Sequence, residues 1–92
     1  MTFEWDEKKA AQNLKTHGVS FKEGSAVFRD PLSITTQDTD HSTPDGERLV
    51  TIGQSDKGRT LVVVHSERGD TIRIITARKA MRREREAYEE GS

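Results

Sequence analysis

Three short apolar runs separated by tight polar turns constrain the fold of this chain more than any other feature. Residues 47–53, 61–65 and 71–76 have the composition of strands, and residues 54–58 and 67–70 between them carry the glycine, serine and aspartate typical of turns. Consecutive strands with such short connections pair antiparallel, because a parallel connection needs a dozen or more residues. The second half of the chain is therefore predicted to form an antiparallel meander.

Two helices are predicted before the meander. Asp6 is suited to cap the first helix, and Gly18 is suited to end it, because glycine adopts a left-handed conformation at little cost. Ser20 and Glu23 have the spacing of a capping box, in which each side chain accepts a hydrogen bond from the other's backbone. A second helix is therefore expected to begin directly after the first.

The remaining elements complete an α+β domain. Residues 3–5 and 32–36 are predicted strands, residues 37–46 a polar loop, and the C-terminal residues a helix. We expect a single domain over residues 1–92, with an antiparallel sheet of four to five strands, two N-terminal helices and a C-terminal helix.

The junction between the last predicted strand and the last helix has an unusual charge pattern. Cations crowd the predicted start of the helix, and four glutamates (Glu84, Glu86, Glu89 and Glu90) crowd its end. Each charge opposes the helix dipole, which favours anions at the N-terminus, at about 0.3–1 kcal/mol per charge. This arrangement favours an anion site, and phosphate is the first anion to consider.

Composition limits the classes of function. The net charge is −1 and the pI about 6.3, which argues against nucleic-acid binding by overall charge but not against a local basic site. The chain has no cysteine, which excludes a disulfide framework or a thiolate site. Residues 1–6 do not have the pattern of a signal peptide, and no apolar run approaches the ~20 residues that span a bilayer. A cytoplasmic protein without a membrane partner is expected.

Two groups of residues, in order along almost the whole chain, carry a resemblance to a known family. The first comprises Phe3-Glu4-Trp5-Asp6, Lys9, Asn13, His17-Gly18-Val19-Ser20-Phe21, Ala26-Val27-Phe28 and Asp30. The second comprises Gly46-Glu47-Arg48, Gly53, Leu61-Val62-Val63-Val64, Arg73-Ile74-Ile75-Thr76-Ala77-Arg78 and Glu84-Arg85-Glu86-Ala87-Tyr88. In this order the residues resemble the BrnT toxins.

The resemblance implies a bacterial type II toxin–antitoxin system. The toxin would be a small endoribonuclease with a RelE-like fold that inhibits translation and growth. A BrnA-type antitoxin would neutralise it, and the toxin would reach operator DNA only indirectly, through the antitoxin's DNA-binding domain.

Metal-independent RNA cleavage needs cations that hold the phosphate while the 2′-hydroxyl attacks it. Arg73, Arg78 and Arg82 are candidates, with Lys79 beside them, because guanidinium groups bind phosphate bidentately. Arg78 and Arg82 are four residues apart and are predicted on one helix face. The alternative for Arg82 is a surface ion pair with Glu86.

Proton transfer needs a base and an acid. His17 is a candidate because histidine titrates near neutral pH, and the alternative is a histidine that caps helix carbonyls. Glu47 and Arg48 place a carboxylate beside a cation, which suits removal of the 2′-hydroxyl proton, but a cross-strand ion pair is an equal interpretation. His65 is a weaker candidate than His17.

The polar loop contains a loose cluster of possible metal ligands: Asp38, Asp40, His41 and Asp45. Acidic loop residues of this kind are mostly solvated, so no metal or cofactor is predicted. The leading hypothesis is an endoribonuclease toxin. The rivals are a non-catalytic module that binds an antitoxin or nucleic acid, and a protein that binds a small phosphate ligand.

Overall fold

A computed structural model of the protein describes residues 1–38 and 48–91. Five strands and three α-helices form an α+β fold, as predicted. In chain order they are β1 (Thr2–Glu4), α1 (Glu7–His17), α2 (Phe21–Ser25), a 3-10 helix (Ala26–Arg29), β2 (Ile34–Gln37), β3 (Leu49–Gln54), β4 (Thr60–Arg68), β5 (Thr71–Lys79) and α3 (Arg82–Glu89).

The strands form one sheet in the order β1-β5-β4-β3-β2. Strands β3 to β5 are the predicted antiparallel meander, and β2 adds a fourth antiparallel strand. Strand β1 pairs parallel with β5, so the sheet is mixed at this edge, where antiparallel pairing was expected. The long connection between these two strands permits parallel pairing, because the chain passes through the helices and strands β2 to β4 before β5 runs beside β1. Strand β1 is short and ends where Glu4 pairs with Arg73.

The hydrophobic core lies between one face of the sheet and the N-terminal helices. Phe3, Trp5, Ala10 and Phe28 pack at its margin. The residues fully enclosed in it come from α2, the segments flanking it, β4 and β5: Val19, Phe21, Val27, Leu61, Val63, Ile72, Ile74 and Ala77. Burial of this apolar surface is the main source of stability.

The residues predicted to cap the helices act on neighbouring backbone groups. The Asp6 carboxylate accepts hydrogen bonds from the Lys8 and Lys9 amides, and Gly18 ends α1 in a left-handed conformation with φ +69°. Ser20 accepts from the Glu23 amide at 3.0 Å. The Glu23 carboxylate does not complete the box, since it binds Ser55 and Arg59 instead.

Strand β5 is longer than predicted and contains an irregularity. Val64 pairs with Thr76 and His65 with Ile74, so Ile75 is an extra, bulged residue. The bulge shifts the alternation, and Ile72, Ile74 and Ala77 all face the core.

Asn13 holds the C-terminal part of β5 in place. Its side-chain amide donates to the carbonyls of Val19 and Ala77 and accepts from the Ala77 amide, at 2.9, 2.7 and 3.2 Å. This buried side chain thus substitutes for a neighbouring strand where β1 has ended. As a result, Arg78 and Lys79 lie on β5 and not on the following helix, where they were predicted.

Helix α3 is attached to the rest of the fold mainly by polar contacts. None of its residues is buried. Near its end, the Tyr88 hydroxyl donates to Asp30, whose carboxylate also accepts from the amides of Leu32 and Gln54. Tyr88 thus joins α3 to the junction between the 3-10 helix and the sheet.

Candidate functional site

A groove of about 680 Å³ lies on the face of the sheet opposite the core. Strands β3, β4 and β5 supply an apolar floor, consisting of Val50, Val62, Val64 and Ile75. These side chains point away from the core because residues alternate between the two faces along each strand. The polar lining residues are Asp38, Arg48, Thr76, Arg78 and Glu84.

Two arginines reach this groove from different strands. Arg78 is on β5 opposite Val62, and Arg48 directly precedes β3. The Arg48 carbonyl accepts a hydrogen bond from the Asp38 amide at 2.8 Å, which ties the end of β2 to the start of β3. We name this feature the Arg48–Arg78 groove.

The Arg78 guanidinium is held by a carboxylate of the protein itself. Its Nη1 and Nη2 atoms each lie 2.8 Å from one oxygen of Glu84, which is the bidentate geometry that a phosphate also offers. The hydrogen bond from Arg78 holds the pKa of Glu84 below its usual range despite partial burial, and the same bond raises the pKa of Arg78. Both groups are therefore charged at neutral pH.

The start of α3 carries the predicted excess of cations, but the anion at this terminus is Glu84. Its Oε1 atom accepts a hydrogen bond from the Met81 amide at 2.8 Å. Glu84 therefore satisfies the helix N-terminus and Arg78 at the same time. Glu84 thus occupies the helix N-terminus where the charge pattern predicted an anion site, and binding of an external anion there stays a prediction.

The other predicted cations lie apart from this groove. Arg73 is at the opposite end of β5, with Nη1 3.8 Å from Glu4 Oε1 and both side chains about half exposed. Lys79 is exposed at the end of β5. Arg82 lines a depression at the start of α3 that shares Glu84 with the groove, and it donates to Glu86 at 3.1 Å, which is the predicted surface pair. Arg78 and Arg82 do not share a helix face, because Arg78 is not helical.

The predicted acid–base residues have different positions. His17 is exposed at the end of α1, in a second groove that also includes Ile75 and Thr76. Glu47 lies outside the described residues. His65 is fully buried, and burial lowers its pKa to about 4, so it is a neutral core residue that RNA cannot reach.

Sequence reasoning missed the floor of the groove and the role of Glu84. The run 61–65 was predicted as a strand, but the sequence did not show which residues of β3 and β5 would lie beside it. Arg78 and Glu84 are six residues apart, a spacing that matches no helical pair, so their contact depends on the strand-to-helix bend. The sequence indicated Asp38 only as a possible metal ligand.

The described parts of the chain contain no group of three or more side chains placed to hold a metal ion. Of the predicted loop cluster, Asp40, His41 and Asp45 lie outside these parts. No helix within residues 1–38 and 48–91 has the length and hydropathy needed to cross a membrane.

Comparison with known proteins identifies relatives of this fold. The family model for the ribonuclease toxin BrnT of type II toxin–antitoxin systems matches residues 5–84. The structure resembles the crystal structure of the Brucella abortus ribonuclease toxin BrnT, with a TM-score of 0.67 and 22% sequence identity. The similarity covers 89% of this chain and 99% of that chain, which establishes a shared fold. No curated protein sequence gives a significant match.

Proposed function

Because this chain belongs to the BrnT family of ribonuclease toxins of type II toxin–antitoxin systems, we propose that it is a metal-independent endoribonuclease that binds and cuts RNA in the Arg48–Arg78 groove. Cleavage of cellular RNA would stop translation and growth. The observation that carries the proposal is the pair of arginines above an apolar floor. The arginines suit a phosphate, and the floor suits the apolar faces of a ribose and a base.

The proposed reaction is an internal transfer at phosphorus. The 2′-hydroxyl oxygen attacks the adjacent phosphorus, a base removes the hydroxyl proton, and the 5′-oxygen of the next nucleotide leaves after it receives a proton. The products are a 2′,3′-cyclic phosphate and a free 5′-hydroxyl. Arg48 and Arg78 stabilise the extra negative charge that develops on the phosphoryl oxygens.

Arg78 has to exchange its partner for this reaction. In the free protein Glu84 accepts both of its hydrogen bonds. A phosphate oxygen pair presents the same acceptor geometry, so the substrate replaces the carboxylate with little reorientation of the guanidinium. The proposal therefore assigns Glu84 the role of holding Arg78 in position before RNA binds.

Proton transfer is assigned to Glu47 and His17. Glu47 adjoins Arg48 in sequence, and His17 lies in the groove that shares Ile75 and Thr76 with the Arg48–Arg78 groove. Arg73, Lys79 and Arg82 are proposed as outer contacts for flanking phosphates, since they are exposed and lie outside the groove.

We also propose a BrnA-type antitoxin as the protein partner, and operator DNA as an indirect partner through that antitoxin. The type II family implies an antitoxin of some kind. An acidic segment of such a partner would compete with RNA for the same arginines. A cytoplasmic location fits both the RNA substrate and the antitoxin.

A second function is supported by the charges of the groove. Glu84 already pairs with Arg78, and Asp38 also lines the groove, so the charges of the four charged lining residues sum to zero. A non-catalytic module that only binds an antitoxin or nucleic acid does not need excess positive charge to stabilise a transition state. In that case RNA would bind without being cut.

Expression without the antitoxin, combined with incubation of purified protein and RNA in EDTA, tests the proposal. The wild-type protein is expected to arrest growth and to cut RNA in the presence of the chelator. Arg78→Gln is expected to do neither. Arg68→Gln is the matched control, because Arg68 is exposed at the far end of β4. Normal growth together with intact RNA would refute the ribonuclease and leave the binding module.

A further inference from the structure

The edge of the sheet beside α1 contains a second groove. Strand β1 ends at Glu4, opposite Arg73, so among the described residues no strand pairs with the rest of β5 on that side. Helix α1 lies along this edge, and Asn13 fills it only at Ala77. The space that remains measures about 300 Å³ and is lined by Lys9, Gln12, Asn13, Thr16, His17, Ile75 and Thr76.

This groove adjoins the Arg48–Arg78 groove. Ile75 and Thr76 line both of them. Ile75 is the bulged residue of β5, and a bulge bends its strand and redirects side chains. A chain that leaves the first groove across Ile75 therefore enters the second one without leaving the protein surface.

The two grooves differ in charge. Asp38 and Glu84 balance the two arginines of the first groove. The described residues that line the second groove include no acid, and they do include the Lys9 ammonium group. The second groove thus supplies the net positive charge that the first lacks, although the whole chain carries −1.

The lining groups of the second groove suit one nucleotide. Lys9 is an exposed cation for a phosphate, and Ile75 offers an apolar surface to a ribose or base. Gln12 Nε2 donates to Thr16 Oγ1 at 2.9 Å, one turn further along α1, which orders these two polar side chains beside the groove. A positively charged groove that follows the backbone is one of the features by which proteins bind single-stranded nucleic acid.

We propose that α1 and the open edge of β5 form a second RNA subsite, in which Lys9 binds the phosphate next to the one held by Arg48 and Arg78. This subsite rests on the RNA-binding part of the proposed function. It extends the binding site across the bulge at Ile75. An acidic protein can hold RNA in this way because several local contacts take the place of an overall positive charge.

The test measures binding of 2′-O-methylated RNA, which lacks the attacking hydroxyl, as a dinucleotide and as an octanucleotide over a range of salt concentrations. Lys9→Ala is expected to weaken octanucleotide binding by about fivefold and to reduce the salt slope by about 0.7, the value for one lost phosphate contact to a single strand. Dinucleotide binding should change little. Lys15→Ala is the matched control, since Lys15 is an exposed lysine of α1 that does not line the groove.

Equal octanucleotide affinities and salt slopes for Lys9→Ala and Lys15→Ala would overturn the subsite. If wild-type protein still cut unmodified RNA in that case, the ribonuclease proposal would stand without it. If wild-type protein bound RNA and the Lys9 effect appeared, but no RNA was cut, the subsite would stand and the catalytic proposal would fail. Absence of RNA binding by the wild-type protein would overturn both.

Discussion

At the scale of single residues, His65 combines a fold role with a pH dependence. It is enclosed by the core, the Phe28 ring lies edge-on at 4.8 Å, and Nε2 is 2.8 Å from Thr51 Oγ1. The Thr51 hydroxyl is in turn 2.8 Å from the Thr35 hydroxyl. Burial lowers the pKa of His65 from 6.5 to about 4. The unfolded chain therefore binds a proton in a pH range where the folded chain does not.

Stability should consequently fall as the pH is lowered from 6.5 towards 4. With these pKa values, the wild-type protein is expected to lose about 2 kcal/mol of unfolding free energy between pH 7 and pH 5 through this residue. His65→Leu should remove that contribution and leave Thr51 with Thr35 as partner. Urea unfolding of both proteins at the two pH values measures it. The same pH-dependent loss in both proteins would rule out His65 as its source.

The contribution of Asn13 to the free energy of unfolding can also be measured separately. Its three buried hydrogen bonds join α1, the start of α2 and β5. Asn13→Ala leaves buried backbone groups of Val19 and Ala77 without partners, which should cost roughly 2–4 kcal/mol. Gln12→Ala, a neighbouring change that removes only an exposed hydrogen bond, should stay within about 0.5 kcal/mol. Comparable losses in the two variants would show that Asn13 does not hold the edge of β5.

At the scale of elements, Tyr88 attaches the end of α3, while Glu84 attaches its start through Arg78. Burial opposes ionisation of Asp30, but the hydrogen bonds from Tyr88, Gln54 and Leu32 outweigh it and hold the Asp30 pKa below its usual range. The same bond to Asp30 raises the pKa of Tyr88 to about 12. At physiological pH the bond thus links the neutral Tyr88 hydroxyl, as donor, to the charged Asp30 carboxylate, as acceptor.

Tyr88→Phe removes the hydroxyl but keeps the ring, so it should weaken the attachment of α3 without leaving a cavity. A loss of about 1 kcal/mol is expected for the missing hydrogen bond. Trypsin should cut faster after the arginines of α3, Arg82, Arg83 and Arg85. Glu89→Gln, an exposed change one residue away, serves as the control. Equal cleavage rates for Tyr88→Phe and this control would mean that α3 is held by other contacts.

The elements also show which features the sequence could predict. The caps Asp6, Gly18 and Ser20 act within a few residues, so their patterns predicted both helix starts and the end of α1. The last residues of β5 pair with β4, with Arg78 opposite Val62 and Lys79 opposite Leu61, and Asn13 contacts Ala77 from 64 residues away. No local pattern records these contacts. The last strand was therefore predicted three residues too short, and Arg78 was placed on the wrong element.

At the scale of the whole molecule, the candidate site depends on strand register. Val50, Val62 and Val64 become one surface only when β3 and β4 pair as they do. Arg48 and Arg78, thirty positions apart in the sequence, reach that surface from separate strands. The sequence predicted a basic phosphate site and named both arginines, but the grouping of Arg78 with Arg73 and Arg82 did not correspond to their positions in the fold.

The rate of cleavage of one defined RNA under single-turnover conditions, by wild-type protein and by Arg78→Gln, tests the proposed catalytic groove most directly. Arg78→Gln is expected to cut about 10²–10³ times more slowly, as observed when one group that stabilises a developing oxyanion is removed. The wild-type product should end in a 2′,3′-cyclic phosphate. Equal rates for the two proteins would contradict a catalytic role for Arg78.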